Sequence, residues 1–186
     1  MNFQTQIPTA AVLGPALLIF ALFALARRRG HIPGWRGGPL VLRAVTALYA
    51  AAVVSITVFP LWVYGGAYRN EAPWTGQIQP IPLLMADVSM IPNVVMFVPL
   101  GFLLPLLSHR LTRGSTVAVC ALASLGIELV QLLQYITLGH GRAVDINDLI
   151  ANTLGGLLGY AALRTAQRTA AARAVLNTLS PSPSTA

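Results

Sequence analysis

The stretch LGHGRAVDINDLIANTLGGLLGY, residues 138–160, joins a polar segment to a glycine-rich apolar run. Its polar part contains Asp145, Asp148 and Asn152, which are spaced three and four residues apart. Each residue advances a helix by about 100°, so a helix over this stretch places the three side chains on one side. Roughly the same side carries three glycines that allow a neighbouring helix to pack closely: Gly155, Gly156 and Gly159. The stretch predicts a helix that presents a polar patch and a packing seam to the rest of the protein.

The composition is typical of an integral membrane protein. Of the 186 residues, 55% are hydrophobic and only 9% are charged, and the mean hydropathy is +0.69. Soluble domains carry about 25% charged residues. The net charge of +7 comes entirely from arginine, and in a membrane protein this bias favours the positive-inside rule over a nucleic-acid partner. The only cysteine, Cys120, lies in an apolar run, so no disulfide can form within the chain.

Five apolar segments reach or approach the length of about 20 residues that crosses a bilayer. They predict an all-α, polytopic membrane helix bundle whose spans lie at about residues 9–26, within 44–64, within 88–108, at about 115–137, and in the opening stretch as far as about residue 163. The apolar part of the last span, residues 149–163, is only about 22 Å long as a helix, against a hydrocarbon core of about 30 Å. Either the bilayer thins locally, or this helix begins earlier, near Ala143.

The arginines predict the orientation and the domain organisation. With the N-terminus outside and the C-terminus inside, ten of the twelve arginines lie inside and only Arg69 and Arg142 lie outside. We therefore expect two helices and a basic cytoplasmic loop in residues 1–64 and an extracytoplasmic loop in residues 65–90. A three-helix core follows in residues 91–166, and residues 167–186 form a cytoplasmic tail whose Ser/Pro-rich end predicts disorder.

The fourth predicted helix carries a polar stripe. Ser124, Glu128, Gln131 and Tyr135 are offset by 0, 4, 7 and 11 residues, which places them within a sector of about 60°. A carboxylate near the bilayer centre costs at least about 2.5 kcal/mol, so such a residue usually faces the protein interior and has a partner. The stripe is either the wall of a site or a face of interhelical hydrogen bonds.

Further polar residues are predicted to lie near the outer ends of the last three helices. Asn93 precedes Pro99 in the third helix, where a kink would expose backbone carbonyls. His140 and Arg142 lie in the short loop between the last two helices. They form either a solvated turn, with Arg142 paired to Asp145, or a contact for an anionic headgroup in which His140 donates or accepts a proton.

These residues form the candidate site. The candidate catalytic carboxylates, which would act as general acid or base, are Glu128, Asp145 and Asp148. The candidate ligand-binding residues are Asn93, Gln131, His140, Arg142 and Asn152. Asp145 has an alternative role as the N-cap of the last helix, with Asp148 favoured in its first turn by the helix dipole. Asn152 is not explained by that alternative.

The sequence predicts neither a metal nor a cofactor. His140 and the three carboxylates are suitable metal ligands in type, but their spacing matches no metal-binding motif. The chain also lacks a GxxxxGK[ST] loop, an HExxH helix motif and a GxSxG nucleophile elbow. The sequence leaves open whether the protein is an enzyme.

Three motifs in this order resemble the VanZ-like membrane protein family: NVVMFVPLGFLLPLL at residues 93–107, IELVQLLQ at 127–134 and GRAVDINDLIANTLGGLLGY at 141–160. The resemblance implies a multi-pass protein of the bacterial plasma membrane in a cell-envelope context, whose founding family member lowers sensitivity to the glycopeptide teicoplanin. It supplies no reaction. The family residues that it places on this chain are Asn93, Pro99, Gly101, Glu128, Gln131, Arg142, Asp145, Asp148, Asn152, Gly155, Gly156 and Gly159.

Three functions compete. The leading hypothesis is an outward-facing polar pocket that binds or modifies an envelope lipid or a lipid-linked cell-wall precursor. In the second, the polar network only ties the last three helices together and the protein modulates a partner. The third is a small transporter with Glu128 as its proton-coupled carboxylate, which is disfavoured because five spans contain no inverted repeat.

Overall fold

The computed structural model describes residues 2–82 and 90–180 and confirms the all-α prediction for them. The helices are α1 (Thr9–Arg29), α2 (Gly37–Thr57), α3 (Met90–Leu107), α4 (Arg113–Leu138), α5 (Ile146–Ala166) and α6 (Ala170–Leu179). Helices α1 to α4 are long and apolar enough to cross a membrane. Helix α5 has 21 residues, as many as α1 and α2, but is not among those four. Its membrane crossing stays a prediction.

Helix α5 does not begin near Ala143, which was one of the two alternatives that the short apolar segment left open. It begins at Ile146, because the carboxylate of Asp145 caps it by accepting a hydrogen bond from the backbone N–H of Asn147 at 2.8 Å. The N-cap alternative for Asp145 is therefore the one observed. The helix continues to Ala166, so its 21 residues extend about 31 Å without an earlier start.

Two small sheets lie where α2 and α4 end and α5 begins; we call this the loop end of the bundle. Strand β1 (Phe3–Ile7) pairs antiparallel with β2 (Leu61–Gly65), and β3 (Ile78–Gln79) pairs in parallel with β4 (Val144–Asp145). The sequence analysis placed residues 61–64 in the second span. They instead form β2, because α2 ends at Thr57 and the chain then pairs with the segment before α1.

Helices α3, α4 and α5 pack closely through glycine. A side chain on Gly101 of α3 would overlap the backbone carbonyl of Gly156 in α5. Gly155 and Gly159 lie equally close to backbone carbonyls of α3, while Gly156 also lies against the side chain of Cys120 in α4. The neighbouring helix that the glycine seam was predicted to admit is therefore mainly α3.

Helix α1 is attached mainly at its ends. Ala24 is its only residue that is buried. At one end, the β1–β2 ladder joins the chain before α1 to the chain after α2. At the opposite end, the ring of Trp35 meets the ring of Phe23 in α1 edge-on, with the two centroids 5.1 Å apart. The guanidinium carbon of Arg43 in α2 lies over the ring of Trp35, 4.8 Å from its centroid. Both ends of the α1–α2 pair are therefore fixed.

Helix α6 lies in the segment for which the sequence analysis predicted a disordered tail. The side chain of Thr169 caps it by accepting a hydrogen bond from the backbone N–H of Ala172 at 3.4 Å. Leu176 packs into a cluster with Leu42, Leu106 and Leu163. This capping and apolar burial explain the helix, while the Ser/Pro-rich composition begins only at its end. The last part of the predicted tail, residues 181–186, lies outside the described residues.

Candidate functional site

Glu128 joins α4 to the start of α5. Its side chain is only 3% exposed, and its Oε2 atom accepts a hydrogen bond from the backbone N–H of Asp145 at 3.1 Å. Asp145 in turn caps α5 through Asn147, whose own side chain is buried. Two carboxylates thus hold the backbone at the point where the loop enters α5.

A second pair of polar contacts joins α5 to its other neighbours. The amide of Asn93 in α3 donates a hydrogen bond to the carboxylate of Asp148. The amide of Asn152 donates to the hydroxyl oxygen of Ser124 in α4 at 2.9 Å, and its Oδ1 atom is buried without a hydrogen-bond partner among the described residues. The structure therefore brings together five of the predicted site residues at the junction of α3, α4 and α5: Asn93, Glu128, Asp145, Asp148 and Asn152.

The remaining polar residues of α4 point to the end of α2 and to the long loop. Gln131 and Gln134 donate hydrogen bonds to the backbone carbonyls of Thr57 at 2.9 Å and Val58 at 3.1 Å. The hydroxyl of Tyr135 donates to the carbonyl of Ala72 at 2.7 Å. All four members of the predicted stripe are buried. Ser124 and Gln131 bond to other helices, Glu128 to the residue that caps α5, and Tyr135 to the long loop.

The loop after α4 is fixed by the segment 66–72. Gly139 ends α4 in a left-handed conformation with φ of 71°, which a larger residue rarely adopts. Arg69 donates a hydrogen bond to the carbonyl of Ile136 at 2.6 Å, and the backbone N–H of Asn70 donates to the carbonyl of Gly139 at 3.1 Å. Arg69, one of the two loop-end arginines, is therefore engaged with the end of α4.

A cavity of about 170 Å³ opens beside this loop. His140 and Arg142 line it from the loop, and both are exposed. The ring of His140 lies 4.9 Å from that of Tyr64 in β2. The other lining residues come from the end of α2, the turn after it, β2, α4 and the loop after α4: Thr57, Val58, Phe59, Pro60, Trp62, Gln134, Leu138 and Gly141. The cavity is thus built by two separate stretches of the chain, residues 57–62 and 134–142.

The predicted site is divided into two parts. His140 and Arg142 line the cavity, whereas Glu128, Asp145, Asp148, Asn93 and Asn152 do not. Gln131 connects the two parts, because its partner Thr57 is a cavity residue. The catalytic and ligand-binding roles assigned to the residues of both parts stay predictions.

The sequence analysis missed several residues of both parts. Gln134 falls outside the stripe counted from Ser124, and Trp62 was assigned to a membrane span. Asn147 was passed over although it lies between two aspartates of the opening stretch, and that polar run was the available signal. Within residues 2–82 and 90–180, no group of three His, Cys, Asp or Glu side chains is placed to hold a metal ion.

Apolar helices long enough to span a bilayer, packed around a buried polar face, define a helical membrane protein. The model of the VanZ/LLP1 family matches residues 46–167. The chain belongs to the VanZ/LLP1 family, which confirms the resemblance in the three motifs. A relative, Protein VanZ from Enterococcus faecium, is 29% identical over 122 residues, which are 66% of this chain and 73% of that protein. No solved structure matches the chain. The matched region contains both the polar junction and the cavity, whereas α6 and all of α1 lie outside it.

Proposed function

We propose that this protein binds the anionic headgroup of a lipid of the bacterial plasma membrane, or of a lipid-linked envelope precursor, in the cavity at its loop end. The observation that carries the proposal is the pairing of exposed Arg142 with His140 on the wall of that cavity. A guanidinium group binds phosphate or carboxylate through two parallel charge-assisted hydrogen bonds. An imidazole adds a further hydrogen-bonding group beside it.

The size and surroundings of the cavity support a headgroup as the ligand. Pockets that hold drug-sized molecules measure about 300–1,000 Å³, so a cavity of about 170 Å³ accommodates one charged group rather than a whole peptide-bearing precursor. Trp62 on its wall is of the residue type that favours the headgroup level of a bilayer. The arginine count supports an outward-facing cavity, since ten of the twelve arginines belong to the opposite end in this interpretation.

In this proposal the buried carboxylates position the binding loop. Glu128 holds the backbone of Asp145, only three residues after Arg142, and Asp148 is held by Asn93. Catalysis by Glu128, Asp145 or Asp148 is not part of the proposal, because each already makes a contact that orders the start of α5. Family membership extends the proposal to a lowered sensitivity to teicoplanin-type glycopeptides.

Binding of a soluble lipid tests the proposal. We expect dihexanoyl phosphatidylglycerol to bind the detergent-purified protein, and Arg142→Gln to weaken this binding about tenfold, since one charge-assisted hydrogen bond is worth about 1.5–3 kcal/mol. Isothermal titration calorimetry measures both affinities. Arg110→Gln, which removes an exposed arginine near the start of α4, is the matched control and should leave the affinity unchanged.

The same two variants, expressed at equal level in a teicoplanin-sensitive bacterial host, test the cellular role. Arg142→Gln should abolish any protection that the unaltered protein gives, and Arg110→Gln should retain it. Equal affinity of the unaltered protein and Arg142→Gln for dihexanoyl phosphatidylglycerol would show that the cavity is not a headgroup site.

A further inference from the structure

An apolar groove of about 240 Å³ lies between α1 and α2. Its lining is almost entirely apolar and includes no charged residue among those that the structure describes there: Leu13, Ala16, Leu17, Phe20, Ala47, Ala50, Ala51 and Val54. Four of the eight lining residues are alanines, whose side chains occupy little space, and the other four are leucine, phenylalanine and valine. In the membrane, such a groove faces hydrocarbon.

The groove and the headgroup cavity are lined by the same face of α2 and the residue that follows it. Val54 lines the groove and Val58, one helical turn further, lines the cavity. The residues at positions 47, 50, 51, 54 and 58 follow the spacing of a single helix face. The backbone N–H of Val58 donates a hydrogen bond to the carbonyl of Val54 at 2.9 Å, so the helical backbone extends to the residue that lines the cavity.

The chain on the other side of the groove leads to the same cavity. Helix α1 begins at Thr9, directly after β1, and Gln6 of β1 is paired with the cavity residue Trp62 of β2. The chain therefore enters α1 close to the cavity, and the groove residue Leu13 lies in the first turns of that helix. Along α2 the groove extends over residues 47–54, about 10 Å, which fits within one leaflet of a hydrocarbon core of about 30 Å.

We propose that this groove holds an acyl chain of the same lipid whose headgroup occupies the cavity, so that the ligand is a glycerophospholipid with an anionic headgroup. This inference rests on the proposed function. A slot lined by alanine accommodates an unbranched chain, whereas a polyprenyl chain carries a methyl branch on every isoprene unit and is wider. Because membrane lipid already surrounds the groove, its selectivity comes from close packing and from the attached headgroup rather than from the hydrophobic effect.

A photoreactive lipid tests the inference. The protein is reconstituted in phosphatidylcholine nanodiscs that contain a small fraction of phosphatidylglycerol with a diazirine in the middle of one acyl chain. After illumination, mass spectrometry of peptides compares labelling of the groove with labelling of the exposed leucines of α4, Leu122 and Leu129. We expect groove labelling to exceed α4 labelling about fivefold, which corresponds to about 1 kcal/mol.

Two variants of neighbouring alanines make the test specific. Ala51→Phe fills the groove and should reduce groove labelling to the α4 level, while Ala52→Phe, at an exposed position outside the lining, should leave it unchanged. Neither change touches the headgroup cavity, so both variants should bind dihexanoyl phosphatidylglycerol as the unaltered protein does. Excess undecaprenyl phosphate should compete less well than unlabelled phosphatidylglycerol.

The outcomes separate the two proposals. Equal labelling of the groove and of α4, or groove labelling that survives Ala51→Phe, overturns the acyl-chain site while binding of the short-chain lipid still supports the headgroup cavity. Stronger competition by undecaprenyl phosphate overturns the choice of a glycerophospholipid. Failure of dihexanoyl phosphatidylglycerol to bind the unaltered protein overturns the headgroup cavity, and the acyl-chain site with it.

Discussion

The packed pair of helices α3 and α5, here taken as one unit, and helix α1 are built in opposite ways although all three are long helices. Helix α5 buries seven residues, and its glycines bring backbone against backbone. Helix α1 buries one residue, Ala24, and is fixed through its ends. Lipid is as apolar as leucine, so a helix surface gains little merely by leaving it. Close backbone approach and polar contacts hold the first unit together, and the contrast shows how unequal apolar segments of one chain can be.

The largest effect is expected where backbone meets backbone. In Gly101→Ala the new Cβ atom would overlap the carbonyl oxygen of Gly156, and relief requires α3 and α5 to separate, at a cost of about 2–3 kcal/mol. Thermal unfolding in detergent measures the loss. Gly126→Ala in α4 is the matched control, because its Cβ atom would meet nothing within 4 Å, and it should be neutral or stabilising. Equal behaviour of the two variants would contradict the proposed backbone packing.

An intermediate effect is expected at the polar junction. Glu128→Leu leaves the backbone N–H of Asp145 without its acceptor, and an unsatisfied buried donor costs about 1–3 kcal/mol. Hydrogen–deuterium exchange over residues 139–147 should accelerate, while exchange in α1 stays as it was. Glu128→Gln keeps a carbonyl oxygen as acceptor and should cost less than about 1 kcal/mol. If Gln proves as harmful as Leu, the charge of Glu128 rather than this hydrogen bond matters.

The smallest effect is expected in the middle of α1. Leu18 is 60% exposed, so Leu18→Ala exchanges one lipid-facing apolar surface for a smaller one. We expect a change of no more than about 0.5 kcal/mol in the free energy of unfolding, again by thermal unfolding in detergent. A loss comparable to that of Gly101→Ala would mean that α1 packs against protein along its length, and the contrast with α5 would be lost.

The sequence predicted the helices well and the connections poorly. Hydropathy located α1, α3 and α4 to within a few residues, whereas α2 begins and ends seven residues earlier than the predicted range 44–64. The spacing of Ser124, Glu128, Gln131 and Tyr135 predicted a single buried face of α4. The partner of each side chain was out of reach, because it lies on another helix. Gln131, for example, bonds to a carbonyl 74 residues away.

The cavity illustrates the same limit. His140 and Arg142 were predicted to lie in the loop after α4, as a solvated turn or as an anion contact, whereas the opposite wall, including Pro60 and Trp62, fell in the range of a predicted span. That wall exists because β2 pairs with residues near the N-terminus, and pairing between strands separated by more than fifty residues leaves no local pattern. Residues 83–89, which include Asp87 of the predicted outer loop, lie outside the described part of the chain.

The double attachment of α1 has a consequence for the space beside it. The pairing of β1 with β2 at one end and the contacts among Phe23, Trp35 and Arg43 at the other fix the distance between α1 and α2. The gap between the helices is therefore part of the folded chain and does not depend on anything entering it. A guest would meet a space already shaped, and would lose none of its binding free energy to forcing the helices apart.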